Sequence, residues 1–239
     1  MKKAIIILFT LSATLFFIFL FSACEEENGD SIKVTDIDGN EYKTVTIGEQ
    51  VWMAENLRTT TYNDGEEIPN VTDSYEWINL SKGAYAWYEN DYSKANTYGA
   101  LYNWYTVETC KLCPDGWHVP TDRDWKVLEM HLGMSRREAD DVNNRGTNEG
   151  SKLAGKGSLW DSGSLTNDSD FSKTGFNAVP GGARKELFVD IGKYCYFWSS
   201  SEESSKESFY RYLTKNYSKI GRLSNPKHIG LSVRCIKDD

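Results

Sequence analysis

The sequence predicts an α+β domain with antiparallel strands at both ends, short helices between them and long loops. Apolar and aromatic residues alternate with polar ones near residues 32–53 and again in the last third of the chain. A capped amphipathic helix is indicated between these regions, after Thr121. Strands at both ends with helices between them favour α+β over a doubly wound parallel sheet.

The first strands form a predicted β-meander. Residues 32–35 and 42–47 are strand-like, Asp38-Gly39-Asn40 and Gly48-Glu49-Gln50 have turn chemistry, and a third strand follows at 51–53. Further strands are predicted late in the chain, at residues 187–189, 194–199, 209–213 and 230–236.

Loops and two capped helices are predicted between these strands. Thr121 with Asp124, and Ser135 with Glu138, match the capping box, and Gly133 is placed to end the first helix. Polar residues 56–76 are predicted to be loop, and residues 99–107 a short helix. Residues 143–170 are rich in Gly, Ser, Asn and Asp, which indicates a long loop with little regular structure.

The N-terminus reads as an export segment that ends at Cys24. Residues 1–23 begin with two lysines, continue with an apolar stretch and end in Ser22-Ala23, as in a secretory signal peptide. The apolar stretch is also nearly long enough for a retained membrane anchor. Small residues before a cysteine favour cleavage, and they resemble the lipobox of bacterial lipoproteins, which implies that Cys24 is acylated.

Residues 24–31 are predicted to be an acidic tether and residues 32–239 the folded domain. The tether is charged and too polar to pack. It resembles the acidic export signal that sends many Bacteroidetes lipoproteins to the cell surface. The sequence therefore predicts a lipid anchor in the outer membrane and exposure at the cell surface.

Charge and composition limit the partners. Removing residues 1–23, which carry two lysines, leaves 216 residues and changes the net charge from −8 to −10. An acidic surface disfavours nucleic acid and anionic membrane faces. Eight Trp, fourteen Tyr and ten Phe can build a core or line a sugar site. The aromatic residues in or beside polar loops are the candidate ligand contacts, with burial in the core as the alternative: Trp77, Trp87, Tyr88, Tyr92 and Trp160.

No catalytic set is identified. The chain has three histidines and no Gly-x-Ser-x-Gly, and Asp122 and Asp124 are explained by helix-start electrostatics. An acid pair for a glycosidase cannot be named from abundant carboxylates. Cys110, Cys113, Cys195 and Cys235 are an even number in an exported chain, which favours two disulfides over a zinc site. No bound metal or organic cofactor is expected.

Several segments together resemble the Fibrobacter succinogenes major paralogous domain family. They are residues 34–40, 52–57, 113–121, 175–178, 197–200 and 230–235. That family is similar to the C-type lectin-like group, so the resemblance implies a C-type lectin-like fold whose N- and C-terminal strands lie together. It implies no established activity. Calcium-dependent sugar binding is not expected, because the Glu-Pro-Asn and Trp-Asn-Asp signatures of C-type lectins are missing. Tryptophans within these motifs are expected in the core: Trp52, Trp117, Trp125 and Trp198.

The resemblance also suggests a disulfide pairing. Cys113 and Cys235 fall in the family's own motifs, whereas Cys110 and Cys195 look like additions. We therefore predict Cys113–Cys235 and Cys110–Cys195, although four cysteines permit three pairings. The function predicted is a binding or adhesion module for glycan or protein. A glycan-active enzyme and a structural envelope component are the alternatives.

Overall fold

One antiparallel sheet joins the two ends of the domain. The structure, a computed structural model, describes residues 33–239, so the predicted signal peptide, the tether and Ile32 lie outside the described residues. Trp52 pairs with Ile236, and Ile236 pairs with His118, so that the last strand lies between an early strand and a middle one. The sheet has the order β1-β2-β3-β13-β6: β1 Lys33–Thr35, β2 Glu41–Ile47, β3 Gln50–Met53, β6 Trp117–His118 and β13 Ile236–Lys237. The expectation that the terminal strands lie together is confirmed.

The two capped helices are confirmed. They are α4 Asp122–His131 and α5 Arg136–Asp140, and both capping boxes are formed in full. Trp125 and Leu128 of α4 are fully buried. Gly133 follows with φ +121°, a left-handed value that favours glycine just past a helix end.

A second antiparallel sheet packs under α4 and has the order β10-β11-β12-β7. Its strands are β7 Asn143–Arg145, β10 Tyr194–Glu202, β11 Glu207–Thr214 and β12 Tyr217–Pro226. The sequence analysis missed β12, because Lys219, Arg222 and Asn225 interrupt the apolar alternation that marks a half-buried strand. Two two-stranded sheets complete the strands of the described chain: β4 Tyr85–Ala86 with β5 Leu101–Tyr102, and β8 Gly181–Arg184 with β9 Phe188–Ile191.

Two predictions about the middle of the chain were wrong. Residues 99–107 are not one helix: strand β5 comes first, and helix α3 covers only Trp104–Val107. The stretch 143–170, predicted to be irregular, contains β7, two short α-helices and the 3₁₀ helix Gly157–Leu159. Three of its apolar side chains, Leu153, Trp160 and Leu165, are buried in the core. The remaining helices are α1 Ser74–Ile78, α2 Ala95–Tyr98, α6 Glu149–Leu153 and α7 Ser164–Asn167.

Aromatic rings dominate the core between the two sheets. Trp52, Trp125 and Trp198 are fully buried as expected, and Trp117 is half-buried. The ring centroids of Trp52 and Trp125 lie 4.9 Å apart, and Phe176 packs against both at 5.6 and 6.0 Å. Such offset contacts add to the stabilisation that burial of these large rings provides.

A buried arginine ties three segments of the core together. The Arg234 guanidinium donates to Asn56 Oδ1 at 3.0 Å and to the carbonyl of Met53 at 3.3 Å. It also donates to the carbonyls of Phe176 and Asn177, and its central carbon lies 4.3 Å from the Phe176 ring centroid. Burial lowers the pKa of Arg234 to about 9.

Among residues 33–239, no helix is long and apolar enough to cross a bilayer.

Candidate functional site

Four of the five aromatic candidates belong to the core. Trp77, Trp87, Tyr88 and Trp160 are between 0% and 6% exposed, so the prediction that these rings meet a ligand from open loops was wrong. Trp77 has a guanidinium, that of Arg184, 4.7 Å from its ring centroid. Residues distant in sequence cover two of these rings, Arg184 that of Trp77 and Phe188 that of Tyr88, so the polar sequence neighbours did not indicate their burial.

Tyr92 is the exception, with 72% of its surface exposed. It begins the short 3₁₀ turn Tyr92–Lys94, which Asp91 caps by accepting a hydrogen bond from the Ser93 N–H at 2.9 Å. The ring of Tyr92 meets Trp87 edge-on at 5.3 Å, and Trp87 meets Tyr85 at 5.2 Å. An aromatic series therefore runs from the core to an exposed ring at the surface.

A polar cleft of about 450 Å³ opens over Tyr85. Its lining residues are Thr60, Thr61, Glu67, Ile68, Pro69, Asn70 and Tyr85. We call it the Tyr85 cleft. Backbone pairing forms its walls: the N–H of Ile68 donates to the Thr60 carbonyl at 2.8 Å, and the N–H of Tyr85 donates to the Pro69 carbonyl at 3.0 Å. The turn between the two walls passes through Gly65 at φ +91°, a conformation suited to glycine.

Asp38 fixes the threonine wall of the cleft. Its Oδ2 accepts hydrogen bonds from the Thr60 N–H at 2.5 Å, the Thr60 hydroxyl at 3.0 Å and the Thr59 hydroxyl at 3.1 Å. Burial alone would raise the pKa of Asp38, but hydrogen bonds from Thr61, Thr60 and Thr59 together lower it below its usual value. The carboxylate is therefore ionised at neutral pH and holds the wall in place.

Tyr85 lines the cleft together with several polar residues. Burial raises the pKa of Tyr85, a hydrogen bond with the Asn70 side chain opposes this, and the charges of Asp38 and Glu67 raise the pKa further. Tyr92 also raises the pKa of Tyr85. Carboxylate, amide and hydroxyl groups thus surround one opening, and this combination of donors and acceptors suits a ligand rich in hydroxyl groups.

A family model matches most of the chain. Residues 45–237 match the Fibrobacter succinogenes major domain. The chain belongs to that family. No curated protein and no solved structure matches it. The resemblance seen in the sequence motifs is confirmed, and the function of this Fibrobacter succinogenes major domain must be argued from its own side chains.

The sequence carries a partial signal for one wall of the cleft. Glu67-Ile68-Pro69-Asn70 echoes the Glu-Pro-Asn signature of sugar-binding lectins, yet it precedes the first long helix instead of following the later strands. In the structure, Glu67 and Asn70 both line the cleft. Within residues 33–239, no group of three or more His, Cys, Asp or Glu side chains is arranged to hold a metal ion.

One of the two predicted disulfides is present in this Fibrobacter succinogenes major domain. Cys113 and Cys235 are bonded, as predicted. The pairing of Cys110 with Cys195 was wrong: Cys110 is free and exposed, and Cys195 is free and buried. Cys195 lies on β10 in the core cluster that contains Trp125, whereas Cys110 is exposed. Burial raises the pKa of Cys195 to about 12.

His118 holds the C-terminal strand against α4. Its Nδ1 lies 2.6 Å from a carboxylate oxygen of Asp238, and its Nε2 lies 3.3 Å from one of Asp124. The hydrogen bond with Asp124 raises the pKa of His118, burial opposes this, and the hydrogen bond with Asp238 raises it again. Its side chain is 42% exposed and lies on an outer strand, so it serves as a surface clamp.

Proposed function

We propose that this chain is a binding module that holds a glycan in the Tyr85 cleft. The observation that carries the proposal is the arrangement at the cleft mouth. The exposed Tyr92 ring is joined through Trp87 to Tyr85, and Tyr85 lines an opening that presents the Glu67 carboxylate, the Asn70 amide and threonine hydroxyls. A sugar ring offers hydroxyl groups to such polar atoms and a C–H face to an aromatic ring.

The charge of the cleft favours a neutral sugar. Glu67 lines the opening and Asp38 lies behind the threonine wall, whereas none of the seven lining residues described is Lys or Arg. Uronic acids and sulfated sugars would meet like charge there, and no guanidinium or ammonium group would pair with them. A neutral hexose can instead donate its hydroxyl hydrogens to the carboxylate.

Carboxyl electrostatics favour binding over hydrolysis. A glycosidase needs a general acid whose pKa is raised, so that it carries a proton near neutral pH. The carboxyl groups whose pKa values are shifted in the described chain are all shifted downwards, and Asp38 beside the cleft is one of them. A glycan-active enzyme and a purely structural envelope component are the competing functions.

A glycan array separates these functions. We expect fluorescently labelled protein, residues 31–239, to bind neutral oligosaccharides and to leave uronate and sulfated ones unbound. The bound sugars are then incubated with the protein and analysed for release of shorter products. Product release would favour the enzyme, and an array without any bound sugar would favour the structural role.

The proposal extends to location and fold. We infer that Cys24 is acylated, that the lipid anchors the protein in the outer membrane, and that the fold is C-type lectin-like. The lipobox-like end supports the first two inferences, and the pairing of Trp52 with Ile236 supports the third. Labelled fatty acid should be incorporated into the wild type and not into Cys24→Ala. External protease should reach the protein in intact cells, and replacing the glutamates at residues 25–27 with Ala should remove that access.

A further inference from the structure

A positively charged groove lies between α4 and α5 of this acidic protein. It has a volume of about 600 Å³, and we call it the α4–α5 groove. Its lining residues are Asp122, Arg123, Lys126, Val127, Met130, Arg136, Ala139, Asp140, Ser201 and Phe209. All five of its charged side chains lie on the two helices, whereas Ser201 and Phe209 come from β10 and β11. The groove is therefore built from α-helix on one side and from β-strand on the other.

Buried ion pairs beneath the groove fix its shape. Asp122 accepts hydrogen bonds from Arg211 Nη1 and from Arg222 Nε, each at 2.8 Å. Glu129, which is fully buried, accepts from Arg211 Nε at 2.6 Å and from Arg145 Nη2 at 2.7 Å. Arginines from the sheet therefore hold α4 from below, and paired charges of this kind keep the groove in one conformation.

Cations outnumber carboxylates in this region. Together, the groove and the ion pairs beneath it contain six cations and three carboxylates, a local charge of +3 in a chain whose net charge is −8. They are Arg123, Lys126, Arg136, Arg145, Arg211 and Arg222 against Asp122, Glu129 and Asp140. Lys126 is used internally, with ion pairs to Asp122 at 3.0 Å and to Asp140 at 2.8 Å.

Two guanidinium groups at the groove are left for a partner. Arg123 and Arg136 are exposed, and within residues 33–239 neither makes an ion pair or a side-chain hydrogen bond. Between them the groove presents aliphatic surface, since Val127 is 39% and Met130 is 36% exposed. A surface with exposed aliphatic side chains next to unpaired arginines is complementary to a partner that is both apolar and anionic.

We propose that the α4–α5 groove binds an acidic, partly apolar peptide segment of a partner protein. Arginine pairs with the carboxylates of Asp and Glu through two parallel hydrogen bonds. The flexible side chain of Met130 adapts to varied apolar side chains. Apolar contacts here come mainly from Val127 and Met130, and the Phe209 ring has the Arg222 guanidinium 4.1 Å from its centroid. Sugar rings prefer an open aromatic face, so a peptide fits this groove better than a glycan does.

Fluorescence anisotropy tests this assignment with a labelled Glu-rich peptide that carries leucine. We expect the peptide to bind residues 31–239 at low salt and to be released as salt is added, because the two free arginines carry the charge attraction. The double variant Arg123→Gln, Arg136→Gln should weaken binding by about tenfold or more, about 1.4 kcal/mol. The matched control is Arg137→Gln, an exposed arginine of α5 that does not line the groove; it should change affinity by less than about twofold.

Each alternative outcome overturns the assignment. Equal loss of binding in Arg137→Gln would show general charge attraction, and unchanged binding in the double variant would place the peptide elsewhere. Labelled polygalacturonate binding as tightly as the peptide would show that the groove takes acidic glycans. Absence of peptide binding at low salt would also reject the proposal. Each variant should unfold at the wild-type melting temperature, because the substituted arginines are on the surface. This result would show that the fold is retained.

Discussion

Removal of the Cys113–Cys235 disulfide is expected to lower the free energy of unfolding by about 5 kcal/mol. The two cysteines are separated by 122 residues, so the bond closes a loop that covers more than half of the folded domain. In the loop-entropy relation, a closed loop of this length lowers the entropy of the unfolded chain by about 16 cal/mol/K, which is about 5 kcal/mol at 25 °C. The bond also fastens the residue before β13 to the segment before β6.

The perturbation is the double variant Cys113→Ala, Cys235→Ala, which leaves no new thiol in the core. Guanidinium unfolding, followed by circular dichroism, measures the change in the free energy of unfolding. In thermal unfolding, the melting temperature should fall by about 10–20 °C. Cys110→Ala is the control, because this exposed cysteine forms no bond and should change stability by less than about 0.5 kcal/mol. A double variant within about 1 kcal/mol of the wild type would refute the reasoning.

Three further predictions concern buried and clamped groups. Glu129→Gln should destabilise the domain by about 3–5 kcal/mol in urea unfolding, because two buried guanidinium groups lose their carboxylate; a loss below about 1 kcal/mol would contradict this. Hydrogen bonds with Asp124 and Asp238 raise the folded-state pKa of His118, so its contribution to stability is present below pH about 6.5 and is lost as pH rises through the raised value. His118→Asn should therefore lower stability at pH 6 more than at pH 9, and equal losses at both would contradict the assignment. Iodoacetamide should label Cys110 in the native protein and reach the other free cysteine only after unfolding; rapid native labelling of both would contradict the burial of that thiol.

Local signals in the sequence predicted the elements that local physics determines. The capping box of Thr121 with Asp124 needs only one turn of chain, and α4 begins where it indicates. The turns at Gly39 and Gly48 likewise have positive φ values, and the meander between them forms as predicted.

Contacts between distant segments could not be predicted in this way. Trp77 has polar neighbours in sequence, but Arg184 arrives from another part of the chain and covers its ring. Cys110 and Cys195 both look like additions to the family's motifs, but the sequence does not indicate that one faces solvent and the other lies in the core. The Tyr85 cleft is likewise assembled from three separate segments, so no single motif marks it.

Isothermal titration with the neutral oligosaccharide that binds best on the array tests the central claim most directly. Tyr92→Ala should weaken binding by about tenfold or more, because it removes the exposed ring that Trp87 joins to the cleft residue Tyr85. Tyr75→Ala is the matched control: its ring is 76% exposed but is not part of the ring series Tyr92–Trp87–Tyr85 that leads to the cleft, so affinity should stay within about twofold of the wild type. Glu67→Gln should also weaken binding, since a carboxylate acceptor is lost. If Tyr92→Ala and Glu67→Gln bind the sugar as tightly as the wild type, the Tyr85 cleft is not the glycan site.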